Sequence, residues 1–288
     1  MNKIKRFFKT YIQKIFGIDR IQENLDAVIM SNWLYRYNNF RNNSIHPIMP
    51  EKYFSQGDED GYTLKILSKI QPPMKTFCEI GVGNGMENNT LILLASGLKG
   101  IWIGNEKLEK GLSYKNSKNF SFINKEVSDA NVEVIISSGL KSMSLQQIDY
   151  FSVDIDSFDY KILKEVLVKF SPKVLVCEIN GKLGSDSQWS YQEMYGKSNG
   201  SNDYFGMSFS VACNLLREND YIPLTMNLAT GLNLFAIRKD QKVFFPEIMD
   251  DLSGVYVPPS YLIPRNHLGK KSTFLINSLL NGGELHDR

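Results

Sequence analysis

The sequence predicts an α/β fold: a Rossmann-like, doubly wound, mostly parallel sheet of seven strands with an antiparallel last strand. Three observations predict it. From about residue 60 to residue 240, short β-branched and aromatic runs alternate with helical patterns. The first of those runs opens into a glycine-rich loop. The last two runs, Tyr221–Met226 and Leu232–Ile237, lie close enough in sequence to pair antiparallel.

Taken in order, a helix over Tyr62 to Ile70 ends at Pro72 and Pro73. A first strand follows over Thr76 to Gly81, then a helix over Asn88 to Ser96 and a second strand over Gly100 to Gly104. The third strand is Phe120 to Ile123, followed by a helix near Asp129 to Ser137. A fourth strand, Asp149 to Ile155, precedes a helix over Tyr160 to Phe170, and Lys173 to Ile179 is the fifth strand. After a polar loop from Gly181 to Gly206, a helix over Ser208 to Asn219 leads into the final pair. Sheets of this kind hold ligands at the carboxyl ends of their strands, which directs attention to those ends.

Around this core, residues 1–58 read as a helical extension, 59–240 as the main domain and 241–288 as a tail packed on it. The chain has 33 basic and 31 acidic side chains, but residues 1–18 carry Lys3, Lys5, Arg6, Lys9 and Lys14 and no acid. The remainder is therefore slightly acidic, 28 basic against 31 acidic side chains, which excludes a broad nucleic-acid surface. In the basic segment Ile4, Phe7, Phe8, Tyr11, Ile12, Ile15 and Phe16 recur at helical spacing. Such a helix fits either the headgroup region of an anionic membrane or a packing face on the body or on a second subunit. A second helical pattern over 19–40 puts Ile21, Leu25, Val28, Ile29 and Trp33 on one side, and the two stripes together suggest a homodimer.

An apolar content of 42% excludes a disordered chain, and no run approaches the ~18 apolar residues of a spanning helix. Cys78, Cys177 and Cys213 lie in apolar surroundings without metal spacing. They read as core thiols of a cytoplasmic protein, free or at the inner face of the membrane. His46, His267 and His286 fall outside every strand-end motif and read as structural or exposed.

The loop after the first strand, residues 78–90, reads CEIGVGNGMENNT. Gly81, Gly83 and Gly85 permit a tight turn and close approach of a ligand to the backbone. A helix beginning near Glu87 would aim free N–H groups at that ligand. A dinucleotide fingerprint needs GxGxxG, whereas this loop is GxGxG preceded by Glu79. A carboxylate there repels a pyrophosphate and suits an amino group. Glu106, 25 residues beyond Gly81, stands at the end of the second strand, where a carboxylate accepts hydrogen bonds from ribose hydroxyls.

Glu79, Gly81, Gly83 and Thr90, as ExGxGxxxxxT, resemble the first motif of class I S-adenosylmethionine-dependent methyltransferases. DYFSVDIDSFDYKILKEV at 149–166 and KVLVCEIN at 173–180 resemble the FkbM-type branch, which acts on sugars and polysaccharides. The likeness covers about residues 75–240 and departs at Ser157 and Phe158, where that branch has Gly and Asn. It implies that Gly81, Val82, Gly83, Asn84 and Gly85 hold the methionyl part of the cofactor and Glu106 its ribose. It also implies O-methylation of a sugar or nucleotide-linked glycan precursor.

Asp154, Asp156 and Asp159 crowd the end of the fourth strand, and Glu178 and Asn180 the end of the fifth. Asp154 and Asp156 lie two apart and share a side. Clustered carboxylates need a proton, hydrogen bonds or a cation. Asp154, Asp156 or Glu178 therefore reads as a general base for an acceptor hydroxyl, or these three with Asn180 as hard oxygen ligands for Mg²⁺. Asp159 reads alternatively as a helix cap. The loop 181–206 carries Trp189, Tyr191, Tyr195, Tyr204 and Phe205, suited to a lid over a carbohydrate or to anchoring the loop. Two other functions stay open: a nicotinamide-dependent oxidoreductase, and a non-catalytic membrane-surface binding protein.

Overall fold

A computed structural model describes residues 18–40, 51–109, 119–191, 204–248, 252 and 254–260. The basic helix expected over residues 1–16, the three histidines and Tyr195 lie outside the described residues.

Seven strands form one sheet in the order β3-β2-β1-β4-β5-β7-β6. They are β1 (Thr76–Ile80), β2 (Lys99–Gly104), β3 (Phe120–Asn124), β4 (Tyr150–Val153), β5 (Val174–Glu178), β6 (Tyr221–Met226) and β7 (Asn233–Arg238). The first five pair in parallel, and β7 runs antiparallel between β5 and β6. This is the Rossmann-like sheet that the sequence predicts. Strand order reverses between β1 and β4, which opens a crevice at their carboxyl ends.

β1, β4 and β5 are almost wholly buried, consistent with their largely apolar sequences. Pro223 is accommodated because β6 is an edge strand, and a register shift follows it. Cys78, Cys177 and Cys213 are buried free thiols.

The helices are α1 (Ile18–Phe40), α2 (Glu59–Lys69), α3 (Leu91–Ala95), α4 (Val132–Ser142), α5 (Asp159–Lys169) and α6 (Phe209–Glu218). Three depart from expectation, each for a local reason. α3 starts three residues late, because Glu79 takes the N–H groups of Asn89 and Thr90. α4 runs through Gly139, where a Cβ would stand 2.9 Å from Ile101 and 3.0 Å from Ile123, so the glycine lets the helix lie close on β2 and β3. On α1, Leu25, Ile29 and Trp33 are half-buried as the stripe requires, but Val28 is 64% exposed.

α1 is fastened to the β6–β7 turn by polar contacts. Arg36 Nε donates to the Leu228 carbonyl at 2.5 Å, and Tyr37 Oη donates to Asp58 at 2.9 Å. Asp58 also accepts from Asn227 Nδ2 at 3.0 Å and from the Ala229 N–H. Asp60 Oδ2 accepts the N–H groups of Tyr53, Phe54 and Ser55. Both oxygens of Asp58 and one oxygen of Asp60 are thereby engaged, which offsets much of the cost of burying these acids. Among the described residues, no helix is long and apolar enough to cross a membrane.

Candidate functional site

Four adjacent strands end level with one another. Ile80 on β1 is in register with Val153 on β4, Val153 with Cys177 on β5, and Glu178 with Asn233 on β7. Gly81, Asp154, Glu178 and Asn233 therefore share one rim.

At this rim the glycine loop turns. Gly81 has φ +95°, and a Cβ there would fall 1.6 Å from the Asp154 carbonyl oxygen. Gly83 has φ +49°, and its missing Cβ would meet open space. The Gly85 N–H closes the turn on the Val82 carbonyl at 2.8 Å. Beneath it, Glu79 accepts from Asn89 N at 3.0 Å, Thr90 N at 3.0 Å and Thr90 Oγ1 at 2.5 Å, while Trp102 Nε1 donates to Thr90 Oγ1 at 2.8 Å. This corrects two expectations about hydrogen bonding. The N–H groups before α3 serve Glu79 rather than a ligand, and Glu79 spends its oxygens on holding the loop.

The loop borders a cleft of about 120 Å³. Gly81, Val82, Gly83, Asn84, Glu87, Asn88 and Asn89 line it, joined by Gln56 from the segment before α2 and by Glu59 from the first turn of α2. Asp154, Asn233 and Glu79 complete it. Among the described residues that line it, four are acids, Glu59, Glu79, Glu87 and Asp154, and none is Lys, Arg or His.

Burial pushes the Asp154 carboxyl up to about 7, helped by the charges of Asp156 and Asp159. Glu178 is raised well above the carboxylate range by burial and then by Asp154, Asp156 and Asp159. Burial and the neighbouring Asp58 lift Glu59 to about 7. Glu79 is also raised by burial, against the hydrogen bonds that favour its charged form. Asp154, Asp156 and Glu178 each bring a carboxylate oxygen within 4.8 Å of the others. Asp156 does so from φ +55°, a conformation that Asp tolerates. Glu178 Oε2 is buried without a hydrogen bond among the described residues.

The remaining predicted residues are engaged differently. Asn180 is fully buried, with Nδ2 donating to the Phe205 carbonyl at 3.1 Å and Oδ1 accepting the Lys182 N–H at 3.2 Å. Asp159 is not a side-chain cap of α5. Its oxygens accept the N–H groups of Ile155 at 2.9 Å and Ser157 at 3.0 Å, which clamps the loop behind Asp154. Glu106 is exposed two residues beyond β2, and the Glu109 N–H ties its segment to the Asn84 carbonyl at 2.9 Å. Trp189, Tyr191 and Tyr204 are buried together with Leu183, and Phe158 packs on them, its ring 4.9 Å from that of Tyr191. Those aromatic rings anchor the loop; they are not open to a ligand.

Sequence reasoning missed Gln56, Glu59 and Asn233. The only visible signal was the run Asp58-Glu59-Asp60 just before a helix, which reads equally as an exposed acidic first turn.

Site and fold together define a Rossmann-like domain whose glycine loop borders an acidic cleft. The chain matches no protein-family model and no curated protein. Among solved structures it is similar to human N-acetylserotonin methyltransferase in complex with SAM, at 10% identity and TM-score 0.36, covering 64% of this chain and 56% of that one. It is similar also to an O-methyltransferase family protein from Burkholderia thailandensis, at 10% identity and TM-score 0.39, covering 74% and 70%. A third is a candidate hemolysin from Lactococcus lactis, at 11% identity and TM-score 0.41, covering 71% and 97%. The chain thus spans little more than half the length of the human enzyme.

Proposed function

We propose that this protein is an S-adenosylmethionine-dependent methyltransferase that acts on a hydroxyl oxygen, with a sugar or nucleotide-linked glycan precursor as acceptor. The observation that carries this reading is a glycine cradle bordered by Glu59, Glu79, Glu87 and Asp154 with no base among the described lining residues. A pyrophosphate would meet uncompensated like charge in a partly desolvated cleft, which argues against a dinucleotide. A sulfonium that also carries an ammonium group gains from the same field.

Bound in the cleft, S-adenosylmethionine supplies an electrophilic methyl group. Gly83, with open space where a Cβ would be, lets its methionyl end approach the backbone, Gly81 lets the loop pack on the Asp154 carbonyl, and Glu106 stands ready for ribose hydroxyls. The Asp154–Glu178 pair, with Asp154 near neutrality, takes the acceptor's hydroxyl proton as the O–CH₃ bond forms and the S–CH₃ bond breaks. Catalysis is otherwise a matter of positioning. A second reading of the same carboxylates rests on their convergence and on the orphaned Glu178 Oε2: Asp154, Asp156 and Glu178 fit a divalent cation such as Mg²⁺, which would polarise the acceptor hydroxyl. The Asn180 side chain is already committed to the loop.

Calorimetry with S-adenosylhomocysteine and with NAD tests the donor class. Micromolar binding of the first alone is the expected outcome. Binding of NAD instead restores the oxidoreductase, and binding of neither by folded protein restores the non-catalytic membrane-surface protein. Once turnover is found, activity that survives EDTA assigns the carboxylates as base, and activity lost and regained with Mg²⁺ assigns the cation.

A further inference from the structure

Asn233 opens β7, is nine-tenths buried and lines the same cleft as Gly81 and Asp154. Its Nδ2 donates to Glu59 Oε1 at 3.1 Å. Glu59 is itself fixed, accepting the Gly57 N–H at 2.8 Å and Asn227 Nδ2 at 2.9 Å. Because Glu59 claims the amide nitrogen, the amide oxygen occupies the other prong. Asn233 Oδ1 is buried and has no hydrogen-bond partner among the described residues. A buried acceptor left unmatched costs free energy, so such atoms mark places where a ligand supplies the donor.

We infer that Asn233 Oδ1 accepts a hydrogen bond from the α-ammonium group of the methyl donor. This assignment rests on the donor reading above and deepens it. An ammonium carries three N–H donors and no acceptor, which matches an orphan oxygen in a cleft whose described lining residues include four acids and no base. The amide has a particular advantage over a further carboxylate. It accepts from the ammonium without adding charge to the Asp154–Asp156–Glu178 cluster, and it does not compete for the acceptor's proton. Glu59 acts through it, by holding the amide the right way round. The residue that grips the donor's amino end is thus set by the N-terminal segment, which brings Glu59, and by the β6–β7 turn, which brings Asn227.

The test compares S-adenosylhomocysteine with 5′-methylthioadenosine, which keeps the thioether nucleoside but lacks the amino-acid end. Calorimetry is run on the full chain and on Asn233→Ala and Asn233→Ser. The shorter serine side chain removes the amide oxygen while keeping a polar group in the buried position, so it serves if the alanine variant does not fold. Both variants should bind S-adenosylhomocysteine about ten-fold more weakly, the value of one charge-assisted hydrogen bond, and bind 5′-methylthioadenosine unchanged. Equal losses for both ligands would mean a structural role and overturn the assignment. Undiminished S-adenosylhomocysteine binding in a folded variant also overturns it and turns the orphan oxygen toward the acceptor. A native chain that binds neither ligand overturns the donor reading itself.

Discussion

Gly81 and Gly83 stand two residues apart in one loop, yet they constrain the protein differently. At Gly81 there is no room: a methyl group would sit 1.6 Å from the Asp154 carbonyl, at φ +95°. Gly81→Ala must therefore push apart the β1 and β4 ends, and should cost at least ~2 kcal/mol of stability together with S-adenosylhomocysteine binding. At Gly83 the space is open and only the left-handed backbone is strained. Gly83→Ala should fold with a loss of about 1 kcal/mol, and its methyl group should weaken the ligand by projecting where the ligand lies. Urea unfolding and calorimetry on both variants separate the two. Equal stability losses would refute the distinction drawn between a packing glycine and a ligand-facing one. The GxGxG spacing makes both glycines legible in the sequence, but not which of them is which. That depends on Asp154, a residue more than seventy positions away.

At the scale of elements, the strands were legible because buried parallel strands are continuous apolar runs, and the antiparallel end because the last turn is short. Two elements were not legible. The polar staple from Asp58 and Glu59 to Asn227 joins residues up to 169 positions apart, and no local pattern encodes such a pairing. The loop after Asn180 was legible as aromatic, but whether its rings face a ligand or one another is a tertiary fact. Here they make a small second core of Leu183, Trp189, Tyr191 and Tyr204. Phe158, where the resembling branch has Asn, lies at the hinge between that core and the carboxylate rim, and the Ser157 carbonyl accepts the Gly206 N–H at 3.0 Å. Phe158→Ala should therefore lower stability by about 2 kcal/mol, below the range of a wholly buried ring because Phe158 is half-buried. It should also shift the fluorescence of Trp189, which packs edge-on against Tyr204 at 5.4 Å. An unshifted spectrum would show that the second core stands without its hinge residue.

For the molecule as a whole, the concentration of acids at one end of the sheet ties stability and ligand affinity to pH with opposite signs. Glu59 and Asp154 are raised to about 7 and Asp159 to about 6, chiefly by burial. In the unfolded chain such groups titrate near 4. Between about pH 4 and 7 the folded protein therefore binds more protons than the unfolded one, and stability falls as pH rises through that window. Above it the loss is complete and stability levels off. A cation in the cleft requires the opposite state, since it gains only from ionised Glu59 and Asp154. The free protein should accordingly melt at a higher temperature at pH 6 than at pH 8, while S-adenosylmethionine should bind more tightly at pH 8. Binding at pH 6 to 7 should also release protons, visible as a dependence of the calorimetric heat on the ionisation enthalpy of the buffer. Melting temperature and affinity that move in the same direction would mean that the free cleft is already fully ionised, and that something other than the ligand holds its charge.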